Sequence, residues 1–320
     1  LMLAMTWPDD PSIPVDWIYD TLYEPGRPGT AKSPNIDWFE MWTQDNPFLS
    51  HEFVQMQKEK WAREVEAIVA ARLYGRPIRF SNRVHPAFTD QRTTQCLACG
   101  KESFDPTRCL ACGAGPEYLV NYSHVEEFET NPGFPVVMVL DPHPRKPHMA
   151  MWAQIDTWDD VWVVAEAIVP GGPDEVAEEV RRIEEELGLH TVLRIGDPNM
   201  LGSPAGAKRD ITWRDEFDAV GLRLDPGDRS DVGRARINES LKIDKDRGRP
   251  RLHFHPRCTT AIKQMGRYVW DDFVRPDRHD QKQKAKEMND DFPTMLKYLM
   301  NVDPKFQWLA RGNQVIRSRA

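Results

Sequence analysis

A mixed α/β fold is predicted for this 320-residue chain by three observations. Three apolar runs follow one another closely between residues 134 and 171: FPVVMVLDPH, HMAMWAQIDTW and DVWVVAEAIVPG. One amphipathic segment, PDEVAEEVRRIEEELG, comes next, with Val176, Val180, Ile183 and Leu187 at helical spacing. A fourth apolar run, TVLRIGDP, follows at once, and mainly helical segments come after it.

Each element has a local reason. From Ser50 to Leu73, the segment HEFVQMQKEKWAREVEAIVAARL reads as a helix with Ser50 at its N-cap. The first 75 residues otherwise read as ordered loops, because Trp and Pro dominate them. The segment GRPIRFSNRVHPAF has strand-like character. In the amphipathic segment Pro173 suits the first helical turn and Gly188 the stop. Beyond the fourth run, ITWRDEFDAVG reads as a helix and LRLDPGD as a short strand or extended turn. DVGRARINESLKI is a helix, RLHFHP a short strand, TTAIKQMGRYVWD a helix, and EMNDDFPTMLKYLMNV the last clear helix. Three strands joined by short turns predict an antiparallel meander. A crossover helix then delivers the fourth strand parallel to an earlier one. That order resembles an RNase H-like fold, in which the fourth strand lies beside the first.

Size and charge narrow the class. At about 100–200 residues per domain, the length suggests two domains with room for a small third module. Hydrophobic residues make up 40% and charged residues 29%, enough for a sizeable core. No stretch approaches the roughly 20 apolar residues of a membrane span, so an integral membrane protein is excluded. The opening LMLAMTWPDD lacks a basic flank and is not read as a signal peptide. The net charge is −8, with 42 basic against 50 acidic residues, which argues against extensive nucleic-acid binding. Residues 241–290 go the other way, with 13 Lys or Arg against 8 Asp or Glu. They are read as a basic rim that would hold phosphates, or as a solvated lysine-rich loop.

Four of the five cysteines form one cluster, Cys96, Cys99, Cys109 and Cys112, in the pattern CLACG-KESFDPTR-CLACG. Two residues between ligands let a tight turn aim both sulfurs at one ion, and Gly relieves the backbone after the second sulfur. The doubled motif predicts one structural Zn2+, and two disulfides are the alternative. A closed all-cysteine site leaves no open coordination position, so this is not the expected catalytic metal. Cys258 reads as a buried small hydrophobe.

The acids suggest a second metal centre. Asp141 and Asp197 sit just past apolar strands, and each precedes Pro. In the predicted strand order these two strand ends meet. A third acid is expected from the last helix, at Asp291 or Asp290. Close carboxylates repel, and hard divalent cations with oxygen ligands relieve that repulsion. Two such ions can activate a water and stabilise a leaving oxygen in phosphodiester hydrolysis. Taken singly, strand-end Asp-Pro is turn chemistry and helix-start acids favour the dipole. His143 and His148 read as loop-surface residues or as aids to metal or phosphate binding, and His253 and His255 as structural.

Over most of its length the chain resembles the large subunit of a tailed-phage terminase, the motor and nuclease that packages viral DNA. LMLAMTWP resembles the strand of that family's ATPase coupling motif, with Thr6 at the matching position. WIYDTLY and DNPFLS resemble the stretch between ATPase and nuclease, and RVHPAF the lead into the nuclease domain. VVMVLDPHPRKP and RIGDP match the strands of the first and second acids, at Asp141 and Asp197. GRYVWDD and NDDFPTMLKYL match the family's closing segments. The resemblance implies residues 1–75 as the end of an ATPase domain with a linker helix. It implies 76–130 as a lead-in strand carrying inserted zinc knuckles, 131–310 as the nuclease domain and 311–320 as a tail. It also implies two Mg2+ or Mn2+ ions on Asp141, Asp197 and Asp291 or Asp290, and double-stranded DNA as substrate. The implied partners are the terminase small subunit and the portal protein of the procapsid. The working motor would be an oligomeric ring in the host cytoplasm, with no membrane.

Three departures qualify this. The chain has no GxxxxGK[ST] and no Walker B acids, so ATPase activity is expected in a full-length protein, of which this Leu-initiated chain is read as a fragment. Thr294 stands where the family has a metal-binding Asp, and Asp291 where it often has His. The zinc knuckles are not a general family feature, and could brace the linker, touch DNA or contact the portal. The competing readings are another RNase H-like nuclease or recombinase, and a non-catalytic zinc-ribbon module that docks on DNA or a portal.

Overall fold

A computed structural model describes residues 18–26, 35–39, 41, 45–61, 83–103, 105–205, 210–270, 284–285, 287 and 290–307. The expectations for Thr6, for the helix beyond residue 61, for residues 271–283 and for the tail 311–320 lie outside the described residues. The chain divides into two compact units, one of Leu1–Ser81 with Thr93–Asn121 and one of Asn82–Arg92 with Tyr122–Ala320. Among the described residues no helix is long and apolar enough to cross a membrane.

In the first unit, helix α1 spans His51–Trp61. Ser50 starts it as its sequence position suggests, its Oγ accepting from Phe53 N at 3.2 Å. Strands β1 (Thr93–Cys96) and β2 (Leu119–Tyr122) form a two-stranded sheet that frames the cysteine knuckles.

The second unit is built on a mixed sheet of six strands among the described residues. The meander is β3 (Pro135–Asp141), β4 (His148–Ile155) and β5 (Val161–Val169), antiparallel throughout. Helix α2 (Pro173–Glu186) crosses back to β6 (His190–Gly196), which pairs parallel to β3. Short helices α3 (Pro198–Leu201) and α4 (Trp213–Ala219) lead to a two-residue β7 (Asp225–Pro226). Helix α5 (Val232–Ser240), β8 (Leu252–Phe254), α6 (Thr259–Arg267) and α7 (Asp291–Asn301) follow. The sheet order β7-β6-β3-β4-β5-β8 puts the fourth strand of the domain beside its first, the RNase H-like arrangement.

Apolar residues cover both faces of β3, which is why its sequence is continuously hydrophobic rather than alternating. Val137 and Val139 face a core shared with Ile237 of α5, Met265 of α6 and Met295 and Leu299 of α7. Val136, Met138 and Leu140 face the other way, against Val176, Val180 and Ile183 of α2 and Phe217 of α4. Helix α2 begins at Pro173, and Glu175 Oε2 accepts from Gly172 N at 2.9 Å. It stops where Gly188 takes φ 60°, a conformation an L side chain disfavours.

Three local expectations change. The described part of GRPIRFSNRVHPAF is not a strand: Arg83 makes an isolated bridge to Val269, and Phe88 N turns back to His85 O at 3.2 Å. Pro86 interrupts this stretch and has no N–H to continue a ladder. Helix α6 ends at Arg267, and α7 begins at Asp291 rather than near Glu287.

The β4–β5 hairpin, at the sheet end opposite Asp141, holds an ion cluster that the sequence does not announce. Asp160 has no exposed side-chain surface. It accepts from Arg247 Nη1 at 2.6 Å and Arg249 Nη2 at 2.9 Å, with Arg251 Nε at 3.4 Å. Asp156 accepts from Trp158 N at 2.8 Å, Asp160 N at 3.0 Å and Trp162 Nε1 at 3.1 Å. His253 stacks on Trp162 at 4.0 Å, so this histidine is structural. Asp160→Ala leaves three guanidiniums without their shared carboxylate and is expected to cost about 3–5 kcal/mol. Urea denaturation reads this directly, and a loss below about 1 kcal/mol, the range of surface pairs, would contradict it.

Candidate active site

Asp141 and Asp197 arrive together because β3 and β6 are adjacent and parallel. Leu140 pairs with Gly196 in register, and Asp197 N donates to Leu140 O at 3.1 Å. Gly196 suits the bend, since a Cβ there would lie 2.8 Å from Leu201 Cδ1 as α3 folds back. Asp197 is the N-cap of α3: Oδ1 accepts from Asn199 N at 2.7 Å and Met200 N at 3.0 Å. Its turn chemistry is therefore present, and it orients the carboxylate. The other oxygen, Oδ2, accepts from the Tyr298 hydroxyl at 2.6 Å.

The last helix brings the remaining acids. Asp290 is the N-cap residue of α7 and Asp291 its first residue. Asp291 Oδ2 accepts from Gln264 Nε2 at 3.0 Å, and Gln264 Oε1 accepts from Phe292 N at 2.8 Å. The buried Gln264 amide thus ties α6 to the start of α7 and fixes Asp291. Thr294 N donates to Asp290 O at 2.8 Å within the first turn.

These acids share one field. Burial, then the charges of Asp197, Asp291 and Asp290, push the Asp141 carboxyl up to about 7, and Lys146 opposes them. Asp290 is raised as well, by burial and then by Asp291. Tyr298 is raised by burial and by its bond to Asp197, so it stays a phenol that donates. A donor set made only of oxygens, buried enough that it resists full ionisation, fits a hard divalent cation. The carboxylates are more widely spaced than the cysteines: among the described residues, the four sulfurs are the set of such donor atoms lying within 4.8 Å of one another.

The neighbouring histidines take structural parts. His143 Nδ1 accepts from Arg145 N at 3.1 Å and Lys146 N at 2.9 Å, closing the turn after β3. His148 is buried, accepts from His143 N at 3.1 Å, and packs edge-on against Trp213 and Phe217. His255 packs against Phe128 and bonds Arg257. Cys258 is fully buried, which pushes its thiol well up, as suits a small hydrophobe. The basic segment is corrected in part: Arg247, Arg249 and Arg251 are drawn to Asp160, at the pole opposite these acids.

Tyr298 and Gln264 are the residues that sequence reasoning misses. Tyr298 lies seven residues after Asp291 and so on the same helical face, a signal that could have found it. Gln264 carries no sequence mark beyond being polar in an amphipathic helix.

In the first unit the two knuckles face each other. Cys96 Sγ lies 3.7 Å from Cys112 Sγ, and Cys99 Sγ 3.6 Å from Cys109 Sγ. Gly100 N and Gly113 N return to Cys96 O and Cys109 O at 2.7 and 2.8 Å, with φ of 75° and 78°, so the two glycines of the motif are needed for the turns. Burial opposes ionisation of Cys96, but the N–H groups of Cys99 and Ala98 outweigh it and lower its thiol. Burial pushes Cys99 up to about 12 and raises Cys109. Four sulfurs this close hold their charges together only around a cation, and a tetrahedral thiolate set fits Zn2+.

The sheet order and the acids at its edge define an RNase H-like α/β domain. No family model matches the chain, and no curated protein matches it. Among solved structures, the chain is similar to the large terminases of tailed phages. The full-length large terminase from a thermophilic bacteriophage is 13% identical with a TM-score of 0.43, over 85% of this chain and 55% of that one. The P22 large terminase nuclease domain is 12% identical with a TM-score of 0.42, over 58% of this chain and 91% of that one. The large terminase nuclease from the thermophilic phage G20c with bound cobalt is 13% identical with a TM-score of 0.40, over 70% of this chain and 98% of that one. The chain thus spans about half the length of the first of these proteins.

Proposed function

We propose that this chain is the nuclease-bearing part of a terminase large subunit, a metal-dependent endonuclease that cuts double-stranded viral DNA during packaging. The observation that supports it most is the meeting of Asp141 and Asp197 at adjacent parallel strand ends, with Asp291 and Asp290 raising the Asp141 carboxyl. Asp141, Asp197, Asp291 and Asp290 would hold two Mg2+ or Mn2+ ions. When bound, such ions supply charge neutralisation and water activation for phosphodiester hydrolysis.

The chain's own residues prepare that site. Tyr298 and the two amides of α3 hold Asp197 ionised and fixed by three hydrogen bonds. Gln264 holds Asp291. Phosphate contacts carry no base information, so sequence preference would come from partners: the terminase small subunit, and the portal of the procapsid on which a ring of subunits works. Cys96, Cys99, Cys109 and Cys112 would hold one structural Zn2+, closed to chemistry.

The test is plasmid cleavage with Mn2+ by the unaltered chain and by Asp197→Ala. Nicking and linearisation by the unaltered chain, lost in the variant, is the expected result. Cleavage that survives Asp197→Ala would remove the proposed site. An unaltered chain that leaves plasmid intact would favour the docking-module reading.

A further inference from the structure

The cations placed near the acids are not those of the basic segment, and they are arranged for a purpose that the acids do not explain. Lys297 lies on α7 immediately before Tyr298, half-buried, its Nζ 5.2 Å from the Tyr298 ring centroid. Among the described residues no hydrogen bond or ion pair reaches this ammonium. Arg229 is exposed and donates to Asn199 Oδ1 at 2.7 Å, and Asn199 N in turn donates to Asp197 Oδ1. Its guanidinium is therefore one residue removed from the second acid. Arg234 on α5 pairs with Asp231 at 2.7 Å and lies 5.1 Å over the Trp270 ring.

Helix packing fixes this group. A Cβ on Gly233 would lie 2.2 Å from Lys297 O, so α5 and α7 cross at the closest approach two backbones allow. That crossing sets Arg234 and Lys297 beside one another. Burial, then Arg234 and Arg229, disfavour the Lys297 ammonium, while Asp231 and Asp197 favour it. Asp231 pairs with Arg234, which leaves Arg229 and Lys297 with no carboxylate at ion-pair distance among the described residues. Clustered cations without counter-charge, on one flank of a carboxylate cluster, are complementary to a polyanion lying across both.

We propose that Lys297 and Arg229 form a phosphate-binding rim, taking phosphodiester oxygens of the nucleic-acid strand that crosses the acid cluster, with Arg234 as its fixed backstop. Arg229 would approach from the α3 side and Lys297 from the α7 side, so the strand is held on both sides of Asp197. This inference rests on the nuclease reading and assigns its substrate contacts to residues outside the 241–290 segment.

Binding can be measured apart from cleavage. Anisotropy of a labelled short duplex with the full chain, in EDTA, is followed over a series of KCl concentrations. Each lost phosphate contact lowers the magnitude of the salt slope by about 1. Lys297→Met and Arg229→Gln are each expected to show that loss, and the double variant about 2. Lys297→Arg keeps the parental slope, as does Lys242→Met, whose ammonium is paired with Glu239 on exposed surface. Thermal melting of each variant establishes that it is folded. Parental slopes in folded Lys297→Met and Arg229→Gln overturn the proposal, as does failure of the parent to bind DNA at the lowest salt. A second arm measures melting in inorganic phosphate: stabilisation of the parent but not of Lys297→Met, with DNA slopes unchanged, assigns the rim to a free anion and overturns the nucleic-acid assignment. The two readings fail separately. A parent that cuts plasmid while the variants keep parental slopes loses the rim alone. A parent that leaves plasmid intact while the slopes fall loses the nuclease reading alone.

Discussion

Asp141→Asn is expected to abolish cleavage and, in metal-free buffer, to make the protein more stable at pH 8 than its parent. Both effects have one cause. Burial and three neighbouring acids raise the Asp141 carboxyl from 3.8 to about 7. A carboxyl that holds its proton more tightly folded than unfolded favours the folded state at low pH. Stability is thus lost as pH rises from about 4, where the unfolded chain ionises, toward 7, and levels off above that. The whole shift corresponds to about 4 kcal/mol, an upper figure because solvent still reaches part of the site. Asn removes the charge and with it the penalty, so the variant's advantage should grow from nearly nothing near pH 3 to a few kcal/mol at pH 8. Denaturation of both proteins in urea with EDTA at pH 3, 5 and 8 checks it. Added Mn2+ should raise the melting temperature of the parent at pH 8 and do far less for the variant. An advantage equal at all three pH values, or cleavage at the parental rate, would contradict the assignment of Asp141.

The second large effect is loss of zinc. Metal analysis of the purified chain should find one zinc per chain, and Cys109→Ser should lower it to near zero. Structural Zn2+ contributes about 10–16 kcal/mol in small zinc-finger peptides at pH 7, most of it as folding free energy. Residues 93–121 have few other means of support, since β1 and β2 are four residues each and the knuckles turn on two glycines. Limited proteolysis should therefore cut between residues 93 and 121 in the variant, or after strong chelation, and spare the untreated chain. A chelated chain that keeps its protection there, or holds two disulfides and no zinc, refutes the four-cysteine metal site.

Much of this was legible before the fold was known. Strands β3 to β6 are read from sequence because both faces of the sheet are covered, which makes each strand a continuous apolar run. The meeting of Asp141 with Asp197 follows from strand order, since a right-handed crossover through α2 has few places to return to. The cysteine set is legible because its ligands are local, within 17 residues from Cys96 to Cys112. What sequence hides is pairing at long range. Asp160 meets Arg247 across 87 residues and Tyr298 meets Asp197 across 101, and neither pair has a local pattern that marks it. The arginines of the basic segment mislead for the same reason: composition counts their charges without the buried carboxylate that holds three of them. Thr294, read as a departure that weakens the third ligand, matters less once Asp290 and Asp291 are both seen in the field of Asp141.

The pairing of Leu140 with Gly196, closed by a helix that starts at Asp291, has a consequence for synthesis. A ribosome delivers Asp141 first, Asp197 more than fifty residues later, and Asp291 nearly a hundred after that. Until that last helix docks, the nascent chain holds scattered acids rather than a cutting centre. Premature termination anywhere before residue 291 would thus release a product unable to cleave, and a host carrying the gene would be spared a partial nuclease.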